Sequence, residues 1–161
     1  MSVWKNEEIL RRFSYYRGII DGTRIARYLI ARTLECHFNP NDSLENLETL
    51  LNEKSKEFNQ IIYENAEELK TRKVTSPNYI SLAETIANKY LESCIFCERE
   101  CGANRIKNEK GYCLLTKDSY VSSAFLHMGE ESVLIPSGTI FFQSCNFGCV
   151  FCQNYDISQA W

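Results

Sequence analysis

Apolar and polar positions alternate with a helical period from the amino terminus to about residue 92. Trp4, Ile9, Phe13, Tyr16 and Ile20 recur at steps of three to five and lay an apolar stripe along one side of a helix. Asp21-Gly22-Thr23 interrupts the stripe, and Thr23 is placed to cap a second helix holding Ile25, Tyr28, Leu29 and Leu34. Asn39-Pro40-Asn41-Asp42 is a turn sequence. Ser43 follows as an N-cap with acids in the first turn. Leu44, Leu47, Leu51, Phe58, Ile62 and Leu69 then continue at helical spacing under a Glu/Lys-rich outer face, which predicts the longest helix of the chain. Ser76-Pro77 has the form of a capping serine followed by proline at the first helical position, opening a helix with Ile80, Ala83, Ile86, Ala87 and Tyr90. These aromatic and aliphatic residues are expected to pack a core.

The pattern changes at Cys94. Glycines appear at 102, 111, 129, 138 and 148, and the long helical periods stop. Tyr120-Val121-Ser122-Ser123-Ala124-Phe125-Leu126 has strand character, as does Thr139-Ile140-Phe141-Phe142, reached through Pro136-Ser137-Gly138. No internal repeat or low-complexity segment interrupts the chain. The expected class is α+β in three parts: a helical domain over 1–92, a Cys-rich metal-binding segment over 93–132, and a strand-and-loop segment over 133–161.

Composition narrows the function classes. The 161 residues are 44% hydrophobic and 24% charged with a formal net charge of −3, which is globular and carries no global basic field to draw the chain onto nucleic acid. Arg11, Arg12, Arg17, Arg24, Arg27 and Arg32 cluster early, but Glu7, Glu8, Asp21 and Glu35 interrupt them, as on solvated helix faces. No apolar run approaches the ~18 residues of a membrane span, and the first residues carry early acids rather than a secretory signal. The expected location is cytoplasmic, with no membrane partner.

Cysteine usage alters the picture most. Of eight cysteines, seven lie between Cys94 and Cys152, in tight clusters that suit metal thiolates in a reducing compartment better than a disulfide framework. Cys145, Cys149 and Cys152 have the spacing C-x3-C-x2-C. Three thiolates on one loop can hold three corners of a cubane cluster that normally takes four, leaving one iron open to another ligand. An open position separates a catalytic metal site from a closed structural one.

The flanks add a resemblance. The stretch from Ser137 through Cys145-Asn146-Phe147-Gly148-Cys149-Val150-Phe151-Cys152 to Gln159 resembles radical SAM proteins of the pyruvate formate-lyase activating enzyme-like group. So do the upstream Cys94-Ile95-Phe96-Cys97-Glu98-Arg99-Glu100-Cys101, Gly111-Tyr112-Cys113 and His127-Met128-Gly129-Glu130-Glu131. The resemblance covers about residues 94–159. It implies that Cys145, Cys149 and Cys152 ligate a 4Fe–4S cluster whose fourth iron binds S-adenosylmethionine, and that Phe151 lies beside the adenine. It also implies one-electron cleavage of the sulfonium to a 5′-deoxyadenosyl radical, with a reductant such as flavodoxin or ferredoxin. In the activating enzymes the radical's target is a glycine of a partner enzyme. The cofactor supplies the hard chemistry while the protein positions it. No catalytic residue is assigned beyond the cluster ligands.

Cys94, Cys97, Cys101 and Cys113 give C-x2-C-x3-C-x11-C, which suits structural zinc or an auxiliary iron–sulfur cluster; Cys113 as an ordinary buried thiol is the plain alternative. Arg99 and Arg105 either neutralise such an anionic site or sit at surface turns. Cys36 reads as a buried thiol in a helical stretch, with a fourth-ligand role as the alternative. His37 reads as a helix-end residue and His127 as structural. Glu130 and Glu131, if extended, point to opposite faces and make no acid–base pair.

The resemblance implies a (β/α) barrel. Eight βα units take about 250 residues and six would need roughly 190, so residues 133–161 are expected to supply only its first strand and cluster loop. The remaining strands would be supplied elsewhere, the chain being a truncated form, the product of a split gene whose partner polypeptide carries the rest, or that of an interrupted gene, and the chain alone is expected to expose apolar surface over 133–161 and to have little or no radical chemistry. Competing readings are a non-catalytic iron–sulfur or zinc module that carries electrons, and a helical interaction protein with redox-sensitive thiols.

Overall fold

Asn6 opens the first helix, its side chain accepting hydrogen bonds from the Glu8 and Ile9 amides, and α1 runs over Glu7–Arg12. The computed structural model describes residues 3–135 and 137–160, with backbone alone at Val3. The first apolar stripe divides into two helices. Phe13 leaves helical geometry at φ −101° and ψ 17°, ending α1 and preceding α2, Ser14–Ile20. Asp21-Gly22 then stops α2 as expected, but Thr23 caps nothing downstream. Its hydroxyl donates back to the Gly18 carbonyl at 3.3 Å, beside the Arg24 amide on the same oxygen, so it closes the helix behind it. The second helix is correspondingly short: α3 spans Arg27–Ala31, after Ala26, which has no capping side chain.

Leu34 and Cys36 therefore lie beyond α3, outside any helix. Glu35 bridges Asn78, the Cys36 amide donates to the Pro77 carbonyl at 3.3 Å, and the Tyr79 amide donates to Leu34 at 2.8 Å. Ser43 caps α4, Leu44–Ile61, through the Asn46 amide as its sequence predicts. The expected single long helix stops at Ile61, however, and Asn65 starts a new one, α5 over Ala66–Thr71, by accepting from the Glu67 amide. Ser76-Pro77 stays outside the next helix. Asn78 does the capping, its Oδ1 accepting from the Ile80 and Ser81 amides, and α6 covers Tyr79–Glu92. An asparagine oxygen can satisfy the orphan amides of a first turn as well as a serine can.

The chain forms two compact units, the first running to Ala87 and the second starting at Asn88. In the first, Ile30, Leu34, Leu47, Ile61, Ile62, Leu69, Leu82 and Ile86 are buried, each side chain contributing about 1.5–3 kcal/mol relative to exposure. On α6 the buried pair is Leu82 and Ile86, one helical turn apart; Ile80 and Ala83, expected in the core, are exposed. Among the described residues of the second unit, the buried positions are Cys94, Arg105 and Gly111.

The second unit is largely irregular before Val121, with one 3-10 turn at Arg105–Lys107. The two expected strands are present as β1, Val121–His127, and β2, Ser137–Phe142; Pro136 lies outside the described residues. They pair antiparallel with Ala124 opposite Ile140 and His127 opposite Ser137. A short helix, α7, follows at Tyr155–Ser158. Among the described residues the sheet is a two-stranded antiparallel hairpin, with no parallel pair and no barrel. A strand with unpaired edges takes the partner its connection can reach, and a short connection permits only an antiparallel one. The class is α+β, and none of the described helices is long and apolar enough to cross a membrane.

Candidate functional site

The backbone of β2 delivers the three-cysteine loop. The Gln143 amide extends the strand pairing to the Tyr120 carbonyl at 2.8 Å, and Ser144 then turns the chain at φ +75°. The Ser144 amide donates to Ile157 at 2.8 Å, tying the start of the loop to α7. Gly148 has φ +67°, and a β-carbon there would stand 3.2 Å from the Tyr112 hydroxyl, so backbone strain and close approach both favour glycine. The Cys152 amide donates to the Cys149 carbonyl at 3.3 Å, which also accepts from Gln159 Nε2 at 3.2 Å. Cys152 Sγ and Ser158 Oγ share a hydrogen bond at 3.2 Å, and the Phe147 amide donates to Cys145 Sγ at 3.4 Å.

Cys145, Cys149 and Cys152 are free thiols, each half-buried, on a loop whose apolar side chains face outward: Val150 is 100% exposed and Phe151 84%. Soft sulfur donors of this kind suit an iron–sulfur cluster or another thiophilic metal. Among the described residues, no three His, Cys, Asp or Glu side chains are gathered ready around one point for a metal ion. The donor chemistry fits a cluster, and the thiols would have to turn inward to hold it.

The upstream cysteines surround an arginine. Arg105, only 6% exposed, directs Nη2 to Cys113 Sγ at 3.1 Å and to Cys101 Sγ at 3.9 Å, while Nη1 donates to the Leu115 carbonyl at 2.6 Å. Cys94 lines the same cavity as Arg105 and Cys113. Burial by itself would lower the Arg105 pKa, but the Cys113 and Cys94 sulfurs outweigh it and hold the guanidinium charged. Burial also opposes ionisation of Cys113, yet the Leu115 amide and Arg105 bring its pKa below the usual thiol range. The Cys101 pKa is lowered to about 7, chiefly by the backbone amides of Ala103 and Tyr112.

Arg99 links the two cysteine segments. Its Nε donates to the Asn146 carbonyl at 3.1 Å and its Nη2 to Phe147 at 3.3 Å, while Cζ sits 4.0 Å from the Tyr112 ring centre. Ser144 Oγ donates to the Cys113 carbonyl. A cavity of about 530 Å³ opens between the segments, and Cys94, Cys97, Cys113 and Cys145 all line it. So one cysteine of the C-terminal motif shares a cavity with three of the upstream set. The sequence offers Arg99 and Arg105 the same two roles; the structure gives one to the loop carbonyls and the other to the sulfurs.

An uncharacterized protein of Methanocaldococcus jannaschii is 41% identical to this chain over 138 residues. The match takes in 84% of this chain and 38% of the relative, so the chain spans well under two thirds of that protein's length. No family model matches the chain, and no solved structure does.

The weaker candidates resolve locally. Cys36 is 0% exposed, its thiol donating to the Leu34 carbonyl at 3.7 Å, and burial pushes its pKa up. It is a packed thiol of the first unit. His37 follows it in non-helical backbone, facing Glu35 at 3.3 Å. His127 closes β1, with Nδ1 at 3.3 Å from Glu130 and its ring 3.0 Å from where a β-carbon on Gly129 would stand. The His-x-Gly-Glu-Glu stretch thus bends around the histidine ring.

Proposed function

We propose that this chain is the cluster-binding part of a radical SAM enzyme of the activating-enzyme-like group. Cys145, Cys149 and Cys152 would hold a 4Fe–4S cluster, and Phe151 would lie beside the adenine of S-adenosylmethionine. The observation that carries this reading is a single loop presenting three free, half-buried thiols beside an outward-facing Phe151. Held by these three cysteines, such a group would supply one-electron reducing chemistry toward S-adenosylmethionine. The chain's own residues have supporting tasks. Arg99, Tyr112 and Gln159 fix the loop backbone, and the Ser158 hydroxyl bonds to the Cys152 sulfur. Phe147, Val150 and Phe151 offer an apolar face that excludes water once covered. The rest of a barrel, a protein substrate and a flavodoxin- or ferredoxin-type reductant belong to this proposal as parts supplied from outside the 161 residues.

A second reading rests on the shared cavity. With Cys94, Cys97 and Cys113 lining the same space as Cys145, an upstream sulfur is a better candidate than Cys36 to close the fourth iron, which would make a non-catalytic electron carrier. Anaerobic reconstitution with iron and sulfide, followed by EPR of the reduced protein, separates the readings. The radical SAM reading expects a 4Fe–4S signal that shifts on adding S-adenosylmethionine and disappears in Cys149→Ala. A signal indifferent to S-adenosylmethionine and lost in Cys97→Ala supports the closed site. No cluster signal in the wild-type chain, with zinc bound instead, would remove both.

A further inference from the structure

The chain carries a net charge of −3, but its first 34 residues have the opposite sign: Lys5 and six arginines face only Glu7, Glu8 and Asp21, a local net of +4. Two of those acids are engaged by the arginines nearest them. Glu8 pairs with Arg11 at 2.9 Å and with Arg12 at 2.6 Å, and Asp21 pairs with Arg17 at 2.9 Å. Among the described residues, Arg24 and Arg27 have no carboxylate partner. They converge on aromatic rings instead. Arg24 Cζ lies 5.9 Å from the Tyr15 ring centre and 5.8 Å from that of Tyr63, and Arg27 Cζ lies 5.1 Å from Tyr15. The two rings meet edge to face at 6.3 Å, and the Tyr15 hydroxyl is fixed by donating to the Ile25 carbonyl at 2.8 Å. Gly18 makes room for the cluster. A β-carbon there would stand 2.4 Å from Arg24 Cγ, so a residue that disfavours helix sits inside α2 where the arginine stem crosses it.

Two guanidiniums around one ring repel each other, and arginine cannot relieve this by losing its proton. The ring faces offset part of the repulsion, and an external anion removes the rest. Arg24 also lines a cleft of about 530 Å³ together with Tyr63, Glu64 and Glu67. Those two carboxylates are themselves neutralised, by Arg72 and Lys70, each at 2.6 Å. Tyr63 is 63% exposed, and Tyr28, next to Arg27, is 61% exposed. Unpaired arginines beside open tyrosine rings suit a phosphate backbone whose bases are unstacked, because a double helix offers no free base face to a ring. We infer that the Arg24–Arg27–Tyr63 face of the first unit binds a single-stranded polynucleotide, with the guanidiniums on phosphates and Tyr63 against a base. Every residue of this face belongs to the first unit, so the proposal is independent of the cluster reading at Cys145, Cys149 and Cys152.

The test is fluorescence anisotropy of the full chain with labelled oligouridine and labelled oligothymidine of about 12 nucleotides, over a range of salt starting at about 50 mM. Binding is expected to weaken with salt at a log–log slope of about −1.4, for two phosphates neutralised on a single strand. Arg24→Gln with Arg27→Gln should lower affinity by about tenfold or more and flatten that slope. Tyr63→Ala should lower affinity by about tenfold and leave the slope unchanged, because stacking releases no counterion. Lys54→Gln with Lys56→Gln, the same loss of charge on α4, should leave both unchanged. Tighter binding of oligouridine names RNA as the partner and tighter binding of oligothymidine names single-stranded DNA; either supports the proposal. Far-UV circular dichroism reports whether each variant is folded. Should the arginine variant unfold, photo-crosslinking of 4-thiouridine RNA to the wild-type chain replaces it, with adducts expected at Tyr63 and within residues 22–28. The proposal is overturned by the absence of binding up to about 100 μM protein, the weak end of non-specific affinities. It is also overturned by a duplex or polyglutamate that binds as tightly as the single strands, by equal losses in the lysine and arginine variants, or by adducts confined to other segments.

Discussion

The Arg99 guanidinium lies over the Tyr112 ring while donating to two consecutive carbonyls of the cysteine loop. These contacts are exposed, so each hydrogen bond contributes about 1 kcal/mol at most and the ring contact roughly 0.5–1 kcal/mol. Arg99→Ala is expected to loosen the loop, and a reconstituted cluster should then lose its visible absorption in chelator about tenfold faster. Arg99→Lys should fall between, because an ammonium cannot present two coplanar donors. Equal decay in wild type and Arg99→Ala would show that the contact positions nothing. Cys101 makes a pH prediction. Its pKa is lowered from 9.0 to about 7 by the Ala103 and Tyr112 amides, so the folded metal-free chain carries thiolate from about pH 7 upward. The stability linked to this thiolate is complete above the unfolded value near 9.0 and is lost as pH falls through about 7. Alkylation of Cys101 should therefore reach half its maximal rate near pH 7 (measured by mass-resolved iodoacetamide kinetics), while buried Cys36 stays unreactive there. The cysteine positions could be read directly from their spacing. The partners of Arg99 could not, since 47 residues separate it from Asn146.

At the scale of elements, caps decided more than apolar periods did. Ser43 capped α4 as its sequence announces, because serine, acid and apolar period agree there. The Ser76-Pro77 signal misled, because Asn78 offered a better-placed oxygen and also anchors itself by donating Nδ2 to the Thr75 carbonyl at 2.7 Å. Asn78→Ala should cost about 1–2 kcal/mol and lower the thermal midpoint of the helical signal by several degrees, whereas Ser76→Ala should change it little. Equal effects of the two would restore the serine cap. The split between α4 and α5 was hidden for a related reason. Ile62 and Leu69 keep the apolar period and are buried, yet Asn65 restarts the helix between them.

Across the whole molecule the two units differ in what holds them. Of the buried apolar side chains among the described residues, all but Cys94 belong to the first unit. The hairpin in the second leaves Val121, Phe125, Leu126, Ile140 and Phe142 exposed, and a two-stranded ribbon is marginal by itself. Amide hydrogen exchange should therefore be fast across β1 and β2 and slow through the middle of α4 and α6. Strand amides as protected as those around Leu47 and Leu82 would refute this. The sequence by itself determined the α+β class, the helical first half, the change of character at Cys94, the Ser43 cap and the two strands, because each is written in local period, composition or spacing. Only the tertiary structure decided that the strands pair as a hairpin, that Arg99 reaches the cysteine loop, that Arg105 sits among sulfurs, and that Cys145 shares a cavity with Cys94, Cys97 and Cys113. These relations join residues far apart in the chain through irregular backbone, where no repeating pattern of side chains records which groups will meet.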